Sequence, residues 1–388
     1  MSNYRSGYSK VIVAVVFLAS VAAPLSQFKV PPMMGQLMES LNISLAASGW
    51  LMSIFALVGV IFALPTGLIL KRLGLKVTGL TALLALLIGS AIGTFSQNAS
   101  LMLFSRSIEG VGLCLLTVMA PAAIATWFPP EKRGLPMGIW ASWVPMGSIL
   151  MFNIAPLIGN WKSVWFFVIG YTAVTFVLTL LFFRLPKDGE VPAIKAESAA
   201  AHGNPYANRS IWLLGTLFLF FNVMVLSINT FMPIFLETAQ GFSSAKASSF
   251  ASILMITALI MGPITGILIN QFGSCKKIFL TGMLIAAAAM VFIFSTSGGV
   301  LILILIAVGI TFGLVPTSVF AAAPEIMGNP SSAGIGMSVV AFGQNIGMFV
   351  GPALLGGLVE AAGWVKAGYV LIPILALGFV VGLAVKVR

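Results

Sequence analysis

Two side chains of opposite charge lie three residues apart in an otherwise apolar stretch. Arg106 and Glu109 fall in the first part of Leu101–Trp127, which is long enough to cross a bilayer, since a spanning helix needs about 20 apolar residues. A spacing of three puts both side chains on one helix face. A charge inside a span costs roughly 2.5–3.5 kcal/mol on insertion scales, so such residues usually face a protein interior or a wet cavity and serve a function.

The chemistry of this pair suits anion binding and proton movement. A guanidinium presents a planar fork of donors to carboxylate, nitrate or phosphate oxygens, which makes Arg106 a predicted substrate-binding residue. Glu109 is the only acidic residue clearly inside a predicted span. Its protonation would respond to nearby cations, which makes it a predicted proton-coupling residue. Alternatively, the two form a pair that only holds helices together, with Glu109 a fixed counter-ion.

Lys29 is a second cation in a predicted span and a second predicted substrate-binding residue. It precedes Glu39, the expected outer end of the first span, by ten residues, or about 14 Å of helix. A lysine stem covers only part of that distance. Alternatively, Pro31 and Pro32 end the helix and leave Lys29 as an interfacial anchor, although the apolar run Met33–Leu41 favours a continued span.

Inside the predicted spans, Lys29 and Arg106 contribute +2 and Glu109 contributes −1, and the second half of the chain contributes no charge. The sum is +1. This balance favours a small, monovalent anion over a cationic drug or a dicarboxylate. Neutral polar side chains would complete the site, and Asn222 and Asn229 share one helix face; for each of them, a helix–helix contact is the alternative. The predicted substrate-binding residues are Lys29, Arg106, Gln27, Trp143, Asn222, Asn229, Gln344 and Asn345.

The composition is that of a polytopic membrane protein. The 388 residues are 59% hydrophobic and 7% charged, where a soluble protein carries near 25% charged residues. Leu80–Gly93 and Val300–Gly313 are continuously apolar without alternation, which favours helices over a barrel. We therefore predict an all-α membrane protein with twelve spans at about 10–38, 45–70, 76–96, 101–127, 135–158, 163–183, 210–236, 247–270, 277–296, 299–322, 332–358 and 365–386.

The basic residues predict orientation rather than nucleic-acid binding. Of the twenty Lys and Arg residues behind the net charge of +11, fifteen fall on the side of the termini and three on the other side. The positive-inside rule then puts both termini in the cytoplasm of a multi-pass protein of the cytoplasmic (inner) membrane. The first span exceeds the 7–15 residues of a leader's apolar core, so it is expected to be retained.

The sequence does not favour enzyme or cofactor chemistry. His202 is the only histidine, Cys114 and Cys275 lack metal-ligand spacing, and no nucleotide-binding loop is present. We expect no catalytic residue, no metal and no cofactor. The expected partners are a small anion, protons and the lipid bilayer, with no nucleic acid, and the expected state is a monomer.

Internal similarity predicts two pseudo-symmetric six-helix halves. Gly67 and Gly74 have the spacing of Gly266 and Gly273, and the pair Gly147 and Pro156 has that of Gly343 and Pro352. Repeats of this kind place the substrate between the halves near the bilayer midplane. The long polar stretch supplies the boundary, giving a first bundle at 1–184, a cytoplasmic linker at 185–209 and a second bundle at 210–388.

The loop after the second span resembles that of the major facilitator superfamily. The family's G-x-x-x-D-R-x-G-R-K/R signature is met by Gly67, Arg72, Gly74 and Lys76, while Lys71 replaces the acid and Leu75 the second arginine. The resemblance implies the fold predicted above and a gating role for this loop. With its acid lost, Glu131 is expected to pair with Arg72 or Lys71. The predicted gating residues are thus Gly67, Lys71, Arg72, Gly74, Lys76 and Glu131.

The fourth span is similar to the family's R-x-x-Q-G-x-G element, with Arg106, Gly110 and Gly112 in place and Glu109 replacing the glutamine. Trp127–Gly134 and Gln27–Pro32 resemble segments of its anion-uptake branches, of the cyanate, nitrate/nitrite and organic-anion type. The resemblance implies a secondary transporter that takes up an anion by alternating access, with proton symport expected over exchange. The alternatives are a proton-driven exporter of drugs or metabolites, whose fifth-span element is only partly met, and a non-transporting receptor or scaffold.

Overall fold

A computed structural model describes residues 6–62, 65–129, 132–186, 207–328 and 330–387. Within these ranges the regular structure is entirely helical, and twelve helices are long and apolar enough to cross a membrane. The predicted all-α architecture with twelve spans is confirmed.

The helices of the first six spans are interrupted at a few positions. The first span breaks after Phe28 and resumes through a short 3-10 turn, and the fifth breaks near Ser142. In order, these helices are Ser6–Phe28 with Pro31–Met33 and Met34–Leu41, Leu45–Phe62, Pro65–Thr94, Ala99–Trp127, Gly134–Ala141 with Trp143–Ile158, and Trp161–Phe182.

The last six spans differ in where they break: the seventh and eleventh are continuous where the first and fifth are broken, and the eighth is broken near Ser252 where the second is continuous. They are Arg209–Thr238, Ser244–Ala251 with Ile253–Phe272, Cys275–Phe292, Gly298–Met327, Pro330–Ala362 and Trp364–Ala384. The predicted linker falls largely at 187–206, outside the described residues, so the domain boundaries stay predictions.

Gly74 ends the second span and begins the third inside the helix Pro65–Thr94. Its φ of 76° and ψ of 168° are not helical and lie where only glycine is unstrained. Gly273, its counterpart in the predicted repeat, ends the eighth span with φ 60°. Both glycines that the sequence comparison pairs therefore turn the chain with a positive φ at the same point of their half.

The two halves meet toward one face of the molecule. We call the face where the first span begins the terminal face, and the opposite one the distal face. Hydrogen bonds cross between the halves in the distal part: Ala46 N donates to Glu360 Oε2 at 2.9 Å, Ala353 N to Ser53 Oγ at 3.1 Å, and Ser249 Oγ to Asn153 Oδ1 at 2.9 Å, and the Glu360 carboxylate also accepts from the Ser44 side chain. The two halves are therefore hydrogen-bonded to each other on the distal side.

Candidate functional site

The three charges singled out from the sequence form one buried cluster. Lys29, Arg106 and Glu109 have no exposed surface. The Lys29 ammonium lies 2.5 Å from Glu109 Oε1, and the Arg106 Nη1 group is paired with Oε2 of the same carboxylate. A single carboxylate is thus held between two cations, one on each oxygen, and the net charge of the cluster is +1.

Arg106 is further held by backbone carbonyls of two neighbouring spans. It donates from Nη1 to Ser26 O at 2.7 Å, from Nη2 to Gln27 O at 3.2 Å, and from Nε to Leu51 O at 3.1 Å. Its guanidinium carbon also lies 4.4 Å from the centre of the Phe55 ring. In this conformation most donors of the fork hold the first, second and fourth spans together.

The proline pair of the first span explains why one of those carbonyls, Gln27 O, accepts from a side chain. Pro31 has no N–H, so the carbonyl four residues earlier, Gln27 O, cannot have its usual helical partner. The helix accordingly ends at Phe28 and resumes beyond the turn at Pro31–Met33. Arg106 supplies the missing donor, which joins the helix break to the charge cluster.

Lys29 lies at this break and points into the first half rather than to the membrane interface. Its ammonium donates to Ser90 Oγ of the third span at 2.9 Å and sits 4.4 Å from the centre of the Trp165 ring of the sixth span. The chain continues beyond it as the helix Met34–Leu41, as the sequence favoured.

The third span supplies a residue that sequence reasoning missed. Ser90 Oγ donates to Glu109 Oε1 at 2.5 Å while accepting from Lys29. Its neighbour Gly89 gives the carboxylate room, because a Cβ there would lie 2.5 Å from Glu109 Cγ. The available signal was a serine flanked by Gly89 and Gly93 in a long apolar run, a pattern equally typical of close helix packing.

The predicted neutral contacts occupy several places in both halves. Gln27 is buried, and its Nε2 has no hydrogen-bond partner among the described residues. Asn229 is fully buried, and although its amide donates to Val225 O at 2.8 Å, its Oδ1 likewise lacks a described partner. Asn222 donates to Phe218 O of its own helix at 2.8 Å. Gln27 and Asn229 therefore each have a buried polar atom without a described hydrogen-bond partner.

The other predicted contacts are half-buried or packed. Gln344 and Asn345 are half-buried, and Asn345 lies against the second span, where a Cβ at Gly59 would come within 2.5 Å of its Oδ1. Trp143 stacks on Trp140 with ring centres 5.6 Å apart. Asn345 thus belongs to the surface where the halves meet, while Trp143 packs within the fifth span.

The predicted gating residues are only partly described. Arg72 is exposed, Lys76 is half-buried, and Gly67 lies in the helix Pro65–Thr94 that Gly74 interrupts. Glu131 and the side chain of Lys71 lie outside the described residues, so the pairing of Glu131 with either cation stays a prediction. Among the described residues, no group of three His, Cys, Asp or Glu side chains is placed to hold a metal ion.

The corresponding place in the second half is apolar. Gly110 packs on the Phe55 carbonyl, 55 residues earlier, and Gly309 packs in the same way on that of Leu254, also 55 residues earlier. In this register, Leu305 and Val308 stand where the first half has Arg106 and Glu109, and both are fully buried. No charged side chain is buried in the described part of the second half.

Comparison with known proteins identifies the family of the chain and several related transporters. A family profile described as Major Facilitator Superfamily matches residues 16–334 and 241–388. The chain is 23% identical over 387 residues to a hexuronate transporter of Bacillus subtilis (93% of this chain, 90% of the relative). It is 22% identical over 375 residues to the multidrug transporter protein MdtP of the same species (80% and 68%), and 21% identical over 329 residues to a probable nitrate transporter, NarT, of Staphylococcus aureus (84% and 82%).

A solved structure has the same fold over almost its whole length. It is a bacterial homologue of the human lysosomal transporter Spinster in an inward-facing and unoccupied conformation, with a TM-score of 0.79 and 16% identity. The superposition covers 98% of each chain. At this identity the likeness concerns the fold alone.

Proposed function

Because the chain belongs to the Major Facilitator Superfamily and is a membrane transporter rather than an enzyme, we propose that it carries a small, monovalent anion together with a proton. The observation that carries this proposal is the buried carboxylate of Glu109 between Lys29 and Arg106. It supplies both a group that takes up the proton and two cations that attract the anion.

The coupling follows from the charge of the cluster. With Glu109 ionised the cluster carries +1, and with Glu109 protonated it carries +2. A buried charge without a counter-ion is costly, and removing one member of a buried pair typically costs about 3–5 kcal/mol. Protonation therefore favours the entry of an anion that replaces the lost carboxylate charge. A proton and a monovalent anion enter as a neutral sum, which is symport.

The route of the anion follows from where the halves are in contact. The distal face is closed by hydrogen bonds between the halves, so substrate exchange in this conformation occurs from the terminal face. Gln27 lies two residues before Lys29, at the end of the helix Ser6–Phe28. With Asn229 it supplies buried polar atoms that are free to contact the substrate near the junction of the halves.

The relatives support an anion without fixing which one. Hexuronate and nitrate are both monovalent anions of oxygen acids, and the relatives include a hexuronate transporter and a probable nitrate transporter. The rival function is proton-coupled export of drugs, which the similarity to MdtP favours. A cationic drug would have to approach a cluster of net positive charge whose counterpart in the second half holds no compensating carboxylate.

Uptake by purified protein in liposomes tests the proposal. We expect an inward proton gradient to drive accumulation of labelled nitrate or glucuronate, and not of ethidium. Glu109→Gln should keep counterflow of the same anion within about twofold and lose the dependence of net uptake on the gradient, because the carboxyl that takes up the proton is gone. Gradient-driven ethidium movement without anion uptake would establish the exporter instead.

Two further outcomes would overturn parts of the proposal. If Glu109→Gln responds to the proton gradient as the unmodified protein does, coupling lies elsewhere. If neither anion competes for uptake or raises the apparent melting temperature of the purified protein, the anion assignment is wrong, since a ligand that binds the folded state stabilises it.

A further inference from the structure

The Ser90 hydroxyl is an uncharged group of the cluster that has no role in the proposed coupling. Ser90 is fully within the protein interior on the third span, and its hydroxyl bridges Lys29 and Glu109 Oε1. The distances are 2.9 Å from the ammonium and 2.5 Å to the carboxylate. These three side chains form a closed ring of hydrogen bonds.

The hydroxyl differs from its neighbours in what it can donate and accept. Lysine and arginine only donate, and an ionised carboxylate only accepts, whereas a serine hydroxyl does both. When Glu109 is ionised, Ser90 donates to it. When Glu109 is protonated, its O–H can donate to Ser90 Oγ, and the serine proton can turn to a carbonyl of its own helix, as buried serines in helices do.

We infer that Ser90 is the positioning residue that keeps Glu109 hydrogen-bonded in both of its protonation states. This inference rests on the proposed function, since it assumes that Glu109 takes up a proton. Ser90 itself need not touch the transported anion. Its role is to hold Oε1 in place while the carboxyl gains or loses its charge.

The backbone around Ser90 is shaped for this contact. A Cβ at Gly89 would lie 2.8 Å from Ser105 O as well as 2.5 Å from Glu109 Cγ, so the glycine lets the third and fourth spans approach closely enough for the hydroxyl to reach. The second half offers a contrast. In the register that pairs Gly110 with Gly309, the residue corresponding to Ser90 is Ala289, which is buried and has no hydroxyl.

The charged and polar groups facing Glu109 are known from every span around it in the described structure. They are Lys29 of the first span, Ser90 of the third, and Arg106 of its own helix. The second span contributes its Leu51 carbonyl and its Phe55 ring to Arg106, and the sixth places the Trp165 ring over Lys29. Ser90 is therefore the one uncharged donor on the carboxylate within this shell.

Infrared spectroscopy of the full chain in lipid tests this without knowledge of the substrate. Acidification should produce a carboxylic C=O band that is absent in Glu109→Gln and therefore belongs to Glu109. In Ser90→Ala the pH midpoint of this band should rise by about one unit, because the lost hydrogen bond is stronger with the charged carboxylate than with the neutral carboxyl. Ser90→Thr, which keeps a hydroxyl, should restore the midpoint.

The control is Ser105→Ala. Ser105 is a buried serine of the adjoining helix whose hydroxyl donates to Met102 O of its own turn at 2.7 Å, and its removal should leave the midpoint unchanged. An unmoved midpoint in Ser90→Ala, with the Glu109 band present, would overturn the role of Ser90 alone. A wild-type protein without any Glu109 band would instead overturn the proton coupling on which it rests. Melting curves verify that each variant is folded.

Discussion

The two halves of this transporter build the same helix arrangement and fill it with different chemistry. In the first half, Arg106 and Glu109 precede the close contact of Gly110 with the second span. In the second half, Leu305 and Val308 stand in the same register before Gly309. Near the distal end, the first half packs Lys29 on Trp165, whereas the second half packs Phe235, Phe294 and Trp364 on one another with ring centres 4.9–5.5 Å apart.

The comparison separates what the fold requires from what the function requires. Since the second half folds around apolar side chains at these positions, the ion cluster is not needed to pack six helices. Buried ion pairs add little net stability compared with hydrophobic residues of similar volume. In the described structure, buried charges are present in the first half only. They are therefore best explained by the proposed role of this half in binding the anion and the proton.

The largest expected effect is on protein stability, when Glu109 alone is replaced by the residue that the second half has at this position. Glu109→Val leaves Lys29 and Arg106 buried without a counter-ion and should destabilise the protein by about 3–5 kcal/mol. The combined change of Lys29→Met, Arg106→Leu and Glu109→Val removes all charges and should regain most of that stability while abolishing transport. Thermal denaturation in detergent measures both; a combined variant less stable than Glu109→Val would show that the fold does need the cluster.

Arg106→Lys keeps the charge and removes the fork. A single ammonium cannot satisfy the carboxylate together with the Ser26, Gln27 and Leu51 carbonyls, so anion uptake should fall about 10- to 100-fold, the effect of losing one hydrogen bond to a charged group. Arg209→Lys, an exposed arginine at the start of the seventh span, is the matched control and should be unaffected. Wild-type uptake in Arg106→Lys would mean that charge alone suffices.

Glu360→Ala tests the contact that closes the distal face. The carboxylate of the eleventh span accepts from Ala46 N at the start of the second span, and such a cap contributes about 0.5–2 kcal/mol. Its loss should raise the distal-open population about 2- to 30-fold by the same energies. Spin labels at Glu39→Cys and Thr238→Cys, exposed distal positions on opposite halves, measure it in a background with Cys114 and Cys275 replaced.

The control for this contact is Glu360→Gln, whose amide oxygen still accepts from Ala46 N. It should retain the wild-type distance distribution. Equal opening in the alanine and glutamine variants would assign the effect to the lost charge instead of the lost cap.

The smallest expected effect distinguishes two asparagines of the neutral half. Asn229 has a buried Oδ1 without a described partner, so Asn229→Ala should raise KM about fivefold at unchanged kcat through one lost hydrogen bond to the substrate. Asn222→Ala removes only a contact to Phe218 O of its own helix and should leave KM within about twofold. Identical KM values in both variants would remove Asn229 from the substrate site.

The sequence predicted the twelve spans and the charged residues well, because apolar length and an isolated charge are strong local signals. It could not predict where the charges point. The three-residue spacing fixes a common face for Arg106 and Glu109, but the direction of that face depends on how the helices pack. The structure turns it toward the first, second and third spans, inside the first half.

Other features could not be predicted from the sequence for a different reason. Ser90 and the Leu51 carbonyl have no distinctive sequence signal, since a lone serine and any backbone group are compatible with ordinary packing. Glu360 lies near a loop, where an acidic residue is unremarkable until its distance to Ala46 N is known. These contacts join residues 19 to 314 positions apart, and a single sequence carries no information on such pairs.

The break at Pro31 and Pro32 in the first span lies directly beside the charge cluster. Arg106 donates to the carbonyls of Ser26 and Gln27 just before the break, so the end of Ser6–Phe28 is attached to the fourth span, whereas Met34–Leu41 lies beyond this attachment. In the proposed transport cycle, a tilt of Met34–Leu41 about the break would leave the carboxylate and its two cations in place. The distal end of the first span and the proton site would then be able to change one after the other.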